Sequence, residues 1–327
     1  MVRQRRNAGG PDRVLALIAL LQSLIVAVSG PATSPEYLPI WVAASDGHFS
    51  RQGLKVTVRS TRSEVGAAEA LAQGQADLAA TSLEALLRFG SREGQSPRLL
   101  LGLTAAPPVA LVVSTSHAGR VRGVRDLSGL RVGISAPGAG EHSWFYFLLS
   151  RANLTPAQVH VLSVGATGLE RALTRNDVQA ALLPEPLANR LLRDGHVALV
   201  ADLRTPDAAQ RTLGLATVNA GVFVRADRRP GERELAAFTR AIISAEGRIA
   251  AGRAGDLAER LPRDVVEHID TFDERVAHAR RIYLTDGRVT VEHLDNTAGF
   301  LRDQVPLPGR ARVQLLPPGR IKTTPGR

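Results

Sequence analysis

Cysteine is absent from the 327-residue chain. Its absence excludes disulfides, thiolate metal sites, a cysteine nucleophile and a lipid-modified N-terminal cysteine. Aromatic residues are few, at 4%. Lysine is nearly missing too: Lys55 and Lys322 are the only ones, so the net charge of +10 is carried by arginine. A basic chain raises the question of nucleic acid or an anionic membrane. The arginines are scattered, however, without interleaved rings to stack on bases, and nucleic acid is not expected as a partner. No apolar run reaches the roughly 18 residues of a membrane span. The nearest, Val14 to Gly30, is broken by Gln22 and Ser23. The histidines show no ligand-like spacing, so neither a metal nor a cofactor is expected. Gly138-Ala139-Gly140 follows a strand-like run as a dinucleotide loop would. But Ser143 stands at the third glycine position, and no acid follows near the end of the next strand. Nucleophile elbows and phosphate-binding loops are also missing, and an enzyme is not expected.

What is present is an alternation of short apolar runs and helical patterns. At 44% hydrophobic and 22% charged the composition is globular, and the length suits two packed domains. Pro39 opens and Gly47 closes a predicted helix over PIWVAASDG. Leu54 to Val58 alternates like a strand, and Ala67 to Gly74 reads as a helix closed by glycine. Asp77–Thr81 and Leu99–Thr104 read as buried strands. From Arg120 the pattern restarts. A polar turn over Val124–Gly129 leads to a strand over Arg131–Ser135, a loop over PGAGEHS and a helix over Trp144–Ala152. A strand over Val159–Val164, a helix over LERALTR and a strand over Ala180–Leu183 follow. Leu235, Phe238, Ile242, Ala245 and Ile249 then recur at helical spacing, with further helices expected around 265–284 and 291–304. Strands alternating with helices predict an α/β fold of mostly parallel, helix-covered sheets.

The two halves echo each other. Val26 to Pro31 (VAVSGP) corresponds to Val132 to Pro137 (VGISAP). Gly53 corresponds to Asn153, and Gly74 to Asn176, each at a helix-ending turn where Gly and Asn best tolerate the left-handed conformation. Three correspondences in one order indicate two similarly built lobes. They also bear on the N-terminus. LIVAVSG follows an arginine-rich start and an apolar run, as the end of an export signal would. Its counterpart lies mid-chain, so Leu24 to Ser29 is read as the first strand. Val14 to Leu21 is then the short apolar core of a signal.

At these residues a family resemblance emerges. PIWVAASDGHFSRQGLKVTV resembles the opening of the sulfonate/nitrate/taurine-type solute-binding proteins of ABC importers. ALAQGQADLAAT, VRDLSGLRVGISAPGAG, ALTRNDVQAALLPEP and DGRVTVEHL are similar to later segments of that family, in the same order over about residues 24–304. Asn176 stands for the usual Gly, Gln179 for the usual Asp, and Glu141 sits in the loop where an anion would dock. The resemblance implies a two-lobed periplasmic-binding-protein type II fold (a Venus flytrap), with the C-terminal helices on lobe one. Its crossovers would lie near Ala110–Ser114 and Ala198–Leu203. The organisation expected is a basic, signal-like segment (1–23), lobe one (24–110), lobe two (111–200), the return to lobe one (201–304) and a Pro/Arg-rich, disordered tail (305–327). The function implied is capture of a small anionic or heteroaromatic solute for delivery to membrane permease subunits. The protein would be a monomer exported to the periplasm, or tethered there by an uncleaved signal. A ligand-sensing module and a small-molecule pathway enzyme on the same fold are the alternatives. The cysteine-rich motif of the pyrimidine-precursor synthases that share this fold is missing.

Ligands of open α/β sheets bind beyond the carboxyl ends of the strands, near helix N-termini. The candidates there are Ser29, Thr33, Tyr37, Arg62, Ser63, Thr81, Ser82 and Thr104 in lobe one, and Ser135, Gly138, Gly140, Glu141, His142 and Glu185 in lobe two. Arg62 is either a solvated loop residue or the counter-charge for an acidic ligand. Ser34 is read as a helix cap, Gly138 and Gly140 as turn formers or ligand contacts, and Glu185 as an exposed turn or a ligand contact. His142 is read as a loop residue before a metal ligand. Trp144 or Tyr146 would stack on a ring if either reaches the cleft.

Overall fold

The computed structural model describes residues 23–90, 97–135, 140–308 and 311–316. The signal-like segment before Ser23, Gly138, and residues 317–327 of the tail lie outside the described residues. The first sheet begins with β1 (Leu24–Val28), β2 (Val56–Ser60), β3 (Leu78–Ser82) and β4 (Pro97–Gly102). The second takes β5 (Val109–Ser114), β6 (Arg131–Ile134), β7 (His160–Ser163), β8 (Ala180–Pro184) and β9 (Val197–Asp202). The chain then returns to the first sheet with β10 (Ala220–Arg225) and β11 (Gln314–Leu315).

The strand orders are β11–β4–β10–β3–β1–β2 and β7–β6–β8–β5–β9. LIVAV is therefore a strand between β2 and β3, parallel to both, with Val26 and Val28 fully buried. Each sheet is parallel except for one reversed strand, β10 in the first and β5 in the second. Both reversed strands are the first to be laid down after the chain changes sheets, so they enter from the opposite end. The changes themselves occupy residues 103–108 and 203–219. Ala110–Ser114 and Ala198–Leu203, expected as crossovers, lie almost wholly in β5 and β9, whose apolar runs are long enough to pair as strands.

Helices cover the sheets: α1 (Leu38–Ser45), α2 (Glu64–Ala72) and α3 (Leu83–Phe89) on the first, α4 (Gly140–Arg151) on the second. Gly47, at φ +72°, ends α1 as anticipated. The strand read at Leu54–Val58 is shifted to β2, because Leu54 still belongs to the turn that closes on Phe49. PGAGEHS is a loop only in part, since Gly140 to Ser143 already form the first turn of α4. The long helix α5 (Glu232–Ala251) buries Leu235, Phe238, Ile242, Ala245 and Ile249, and Phe238 stacks on Phe49 at 5.0 Å. Burying a ring of that size contributes roughly 1.5–3 kcal/mol. Helix α6 (Ile269–Ala279) joins the same core through Phe272 and Val276.

The last helix, α7 (Val291–Gln304), also reaches the second lobe. Its Phe300 ring lies 4.8 Å from Trp144 and 4.6 Å from Phe147, both on α4. Trp144 is thus a core residue rather than a ligand platform, whereas Tyr146 stacks on His142 at 5.5 Å. The proline-rich tail reads as a disordered end, yet Gln314 and Leu315 pair with β4. An otherwise open sheet edge offers any nearby extended segment a row of hydrogen-bonding groups.

Candidate ligand cleft between the lobes

The carboxyl ends of β1, β2 and β3 and the N-terminus of α4 meet at one place. A Cβ on Gly30, just beyond β1, would stand 2.2 Å from the Thr61 carbonyl oxygen, so only glycine lets these two strand ends run side by side. The chain then turns through Pro35–Tyr37. The Thr33 carbonyl is held from behind by Arg275 Nη1 of α6, 3.0 Å away, and the Pro35 carbonyl by the Tyr283 hydroxyl at 2.7 Å.

Two carboxyls occupy the centre. Glu64, in the first turn of α2, accepts from the Ser82 hydroxyl at 2.7 Å and the Tyr37 hydroxyl at 3.3 Å. The Thr81 hydroxyl donates to the Glu64 carbonyl at 3.0 Å. Glu36 accepts from Asn219 Nδ2 at 2.8 Å and from the Ser34 hydroxyl at 3.1 Å. Ser34 therefore serves Glu36 and does not cap a helix. Gly140 of the opposite lobe abuts Glu64: a Cβ there would lie 3.1 Å from Glu64 Oε2. Next to Gly140, Glu141 accepts a short hydrogen bond from the Ser135 hydroxyl. A fourth acid, Glu84 in the first turn of α3, is buried beside Ser143 of α4. Its Oε1 takes Arg88 Nη1 at 3.1 Å, while Oε2 is buried without a donor in hydrogen-bonding geometry.

Burial, reinforced by the charge of Glu64, pushes the Glu36 carboxyl up to about 8. Burial likewise pushes Glu64 up to about 7, opposed by the Ser82 and Tyr37 hydrogen bonds and aided by the charges of Glu84 and Glu141. Glu84 is raised by burial against the pull of Ser143 and Arg88. The Tyr37 phenol is raised by burial and by Glu64. Buried carboxyls crowded together hold their protons, because the charged forms lose water and repel one another.

Of the expected site residues, Ser29, Tyr37, Thr81, Ser82, Ser135, Gly140, Glu141 and His142 lie in or against this group. Ser29 Oγ is buried beside the Tyr37 phenol without a hydrogen bond of acceptable geometry. Thr33 contributes its carbonyl to the loop, and the buried Thr104 hydroxyl accepts from the Ala220 amide at 3.2 Å. Arg62 and Ser63 stay outside. Arg62 is exposed and forms no ion pair among the described residues, and Ser63 caps α2 through the Gly66 amide. Glu185 is elsewhere, at the junction of β8 with the returning chain. It takes Arg204 Nη1 at 3.2 Å and the Asn189 amide at 3.1 Å, with His278 Nδ1 at 3.5 Å. These residues line a crevice of about 320 Å³, in which burial pushes His278 down to about 4.

Sequence reasoning missed Glu36, Glu64, Glu84 and Asn219. Ser34, Ser63 and Ser82, which it did name, lie within two residues of the first three. First-turn glutamates ordinarily favour the helix dipole from the solvent side, and nothing local marks these as buried.

The family model described as NMT1/THI5 like matches residues 34–220. No curated protein matches the chain by sequence. Among solved structures, the alkanesulfonate-binding protein SsuA of Xanthomonas axonopodis pv. citri, bound to MOPS, is 20% identical with a TM-score of 0.61, covering 90% of this chain and 98% of that one. The periplasmic aliphatic sulphonate binding protein SsuA of Escherichia coli is 17% identical with a TM-score of 0.64, covering 86% and 91%. The periplasmic nitrate-binding protein NrtA of Synechocystis PCC 6803 is 14% identical with a TM-score of 0.53, covering 83% and 73%. At these identities the likeness establishes the fold.

Proposed function

We propose a solute-capturing role for this chain, which belongs to the NMT1/THI5-like family: it is the binding component of an ABC importer, exported from the cytoplasm, that hands a small molecule to a membrane permease. The observation that carries this reading is the meeting of Glu64 with Gly140, which brings strand ends of one lobe against a helix N-terminus of the other. A solute held there touches both lobes only when they are closed, and so shifts the population towards the closed form. The solved neighbours are binding proteins, which favours capture over catalysis.

The test is a thermal-shift screen of small solutes on the purified chain, with small-angle scattering in parallel. A solute at about 100 times its dissociation constant adds roughly 2.7 kcal/mol to stability, a rise of several degrees. The expected result is at least one solute that raises Tm and compacts the particle. Stabilisation without compaction points instead to a site within one lobe and overturns capture between them.

A further inference from the structure

The cleft carries the wrong polarity for the anions that the solved neighbours bind. Glu36, Glu64 and Glu141 are served only by neutral donors: Asn219 and Ser34, Ser82 and Tyr37, and Ser135. Among the described residues no arginine or lysine pairs with any of the three. Arg62, the cation nearest in sequence, is exposed. A second observation is independent of the charge count. Glu84 is 6% exposed and pairs with Arg88 through Oε1, while its Oε2 lies buried beside the Ser143 hydroxyl of the opposite lobe without a hydrogen bond of acceptable geometry. A buried acceptor without a donor is costly unless something arrives to supply one.

We propose that the captured solute presents a cationic nitrogen group, an ammonium or an amidinium, to Glu36 and Glu64 of lobe one and Glu141 of lobe two, with Glu84 behind them. The proposal rests on the solute-capturing role above and specifies its ligand. Such a group brings the positive charge that the three carboxyls lack, on N–H donors, and charge-assisted hydrogen bonds of this kind are the strong ones. A sulfonate or nitrate brings neither and meets like charge wherever one of these carboxyls is ionised. Without a cation, protons take its place on Glu36 and Glu64, so cation binding displaces protons. The other titratable groups facing the cluster are the Tyr37 and Tyr283 phenols, Glu84 with Arg88, and His142, with Glu246 beyond Tyr283.

The experiment uses benzamidine and putrescine as cationic probes, and ethanesulfonate, nitrate and acetate as anionic ones, each at millimolar concentration. Tm and lobe closure are read together. Closure is followed by fluorophores on Arg62→Cys and Ser150→Cys, both exposed positions in a chain that has no other cysteine. The expected result is that a cationic probe raises Tm by several degrees and shortens the distance, while the anions do neither. Glu64→Gln and Glu141→Gln each weaken that binding at least tenfold, and two variants guard against one failing to fold. Affinity for the cation therefore falls as pH drops below 7, by up to about tenfold per pH unit for each proton displaced.

Closure by an anion, or cation binding unchanged in both glutamine variants, overturns the cationic assignment and leaves solute capture standing. Silence of every probe overturns the assignment as well. A small-molecule extract of cells then decides the broader reading, because a distance that no extract shortens overturns solute capture itself.

Discussion

In the first lobe the Asp77 carboxylate accepts a hydrogen bond from the Ile25 amide at 2.8 Å, and the Asp77 amide returns one to the Ile25 carbonyl at 2.9 Å. In the second lobe Gln179 Oε1 accepts from the Arg131 amide at 3.0 Å, and the Gln179 amide donates to the Arg131 carbonyl at 2.9 Å. The same two-point latch joins the loop before β3 to β1 and the loop before β8 to β6. Glutamine in place of aspartate keeps the acceptor and adds an amide group that reaches Asn176 Oδ1 at 3.3 Å. The residue that departs from the family pattern is thus a substitution within a preserved device. What the latch requires is an acceptor at that point; charge only strengthens it. The lobes differ more in what they bring to the cleft. Lobe one supplies Glu36, Glu64 and Glu84 on three strand-to-helix connections, and lobe two supplies Glu141 from one.

The first way to break this comparison is to cut the bridge between the lobes. Phe300→Ala removes a buried ring packed on Trp144 and Phe147, and should cost about 3–5 kcal/mol in chemical denaturation. If α7 served lobe one alone, lobe closure would be unaffected; loss of closure together with stability ties both to the bridge. The latches come next. Asp77→Ala should cost about 2 kcal/mol and Gln179→Ala about 1 kcal/mol, because the first loses a charge-assisted bond and the second a neutral one. Equal losses would remove charge from the account.

Stability against pH separates two regions. Glu36 and Glu64, raised above the ordinary carboxyl value of 4.5 to about 8 and about 7, contribute stability below that value that is lost as pH rises through 7–8. Tm should fall by a few degrees between pH 6 and 9, and Glu64→Gln should flatten that limb. His278, depressed from 6.5 to about 4, acts on the opposite side: its contribution is present above 6.5 and is lost as pH falls through 4. His278→Gln should flatten the acid limb and leave the alkaline one unchanged.

An effect as small as that of Gln179→Ala sits at the left-handed turns. Asn176→Ala should cost about 1 kcal/mol, since alanine lacks the local hydrogen bonding that eases that conformation, whereas Asn176→Gly should be nearly neutral.

These left-handed positions are legible in the amino-acid sequence itself. Gly53 and Gly74 at φ +73° and +70° have their counterparts in Asn153 and Asn176, both at +57°. The first strand is legible from its echo, and α5 from its spacing. The start of α4 is not, since Gly138 and Gly140 after a proline read as loop. The two-residue β11 is hidden in a proline-rich tail. The acids of the cleft are hidden for a different reason. Glu36 and Glu64 look like ordinary first-turn residues, and their burial is produced by Asn219 and Gly140, which lie 183 and 76 positions further along the chain.

The Thr33 and Pro35 carbonyls, tied to Arg275 and Tyr283, set how ready the cleft is before any solute arrives. A loop braced at both points is held in one shape before binding, so little conformational entropy is left for it to lose. Residues near the end of the chain that need never touch the solute can therefore tune its residence time. Loosening either brace should raise the dissociation rate while the chemical selectivity of the carboxyls stays the same. Affinity and selectivity would then be adjustable separately, from opposite ends of one polypeptide.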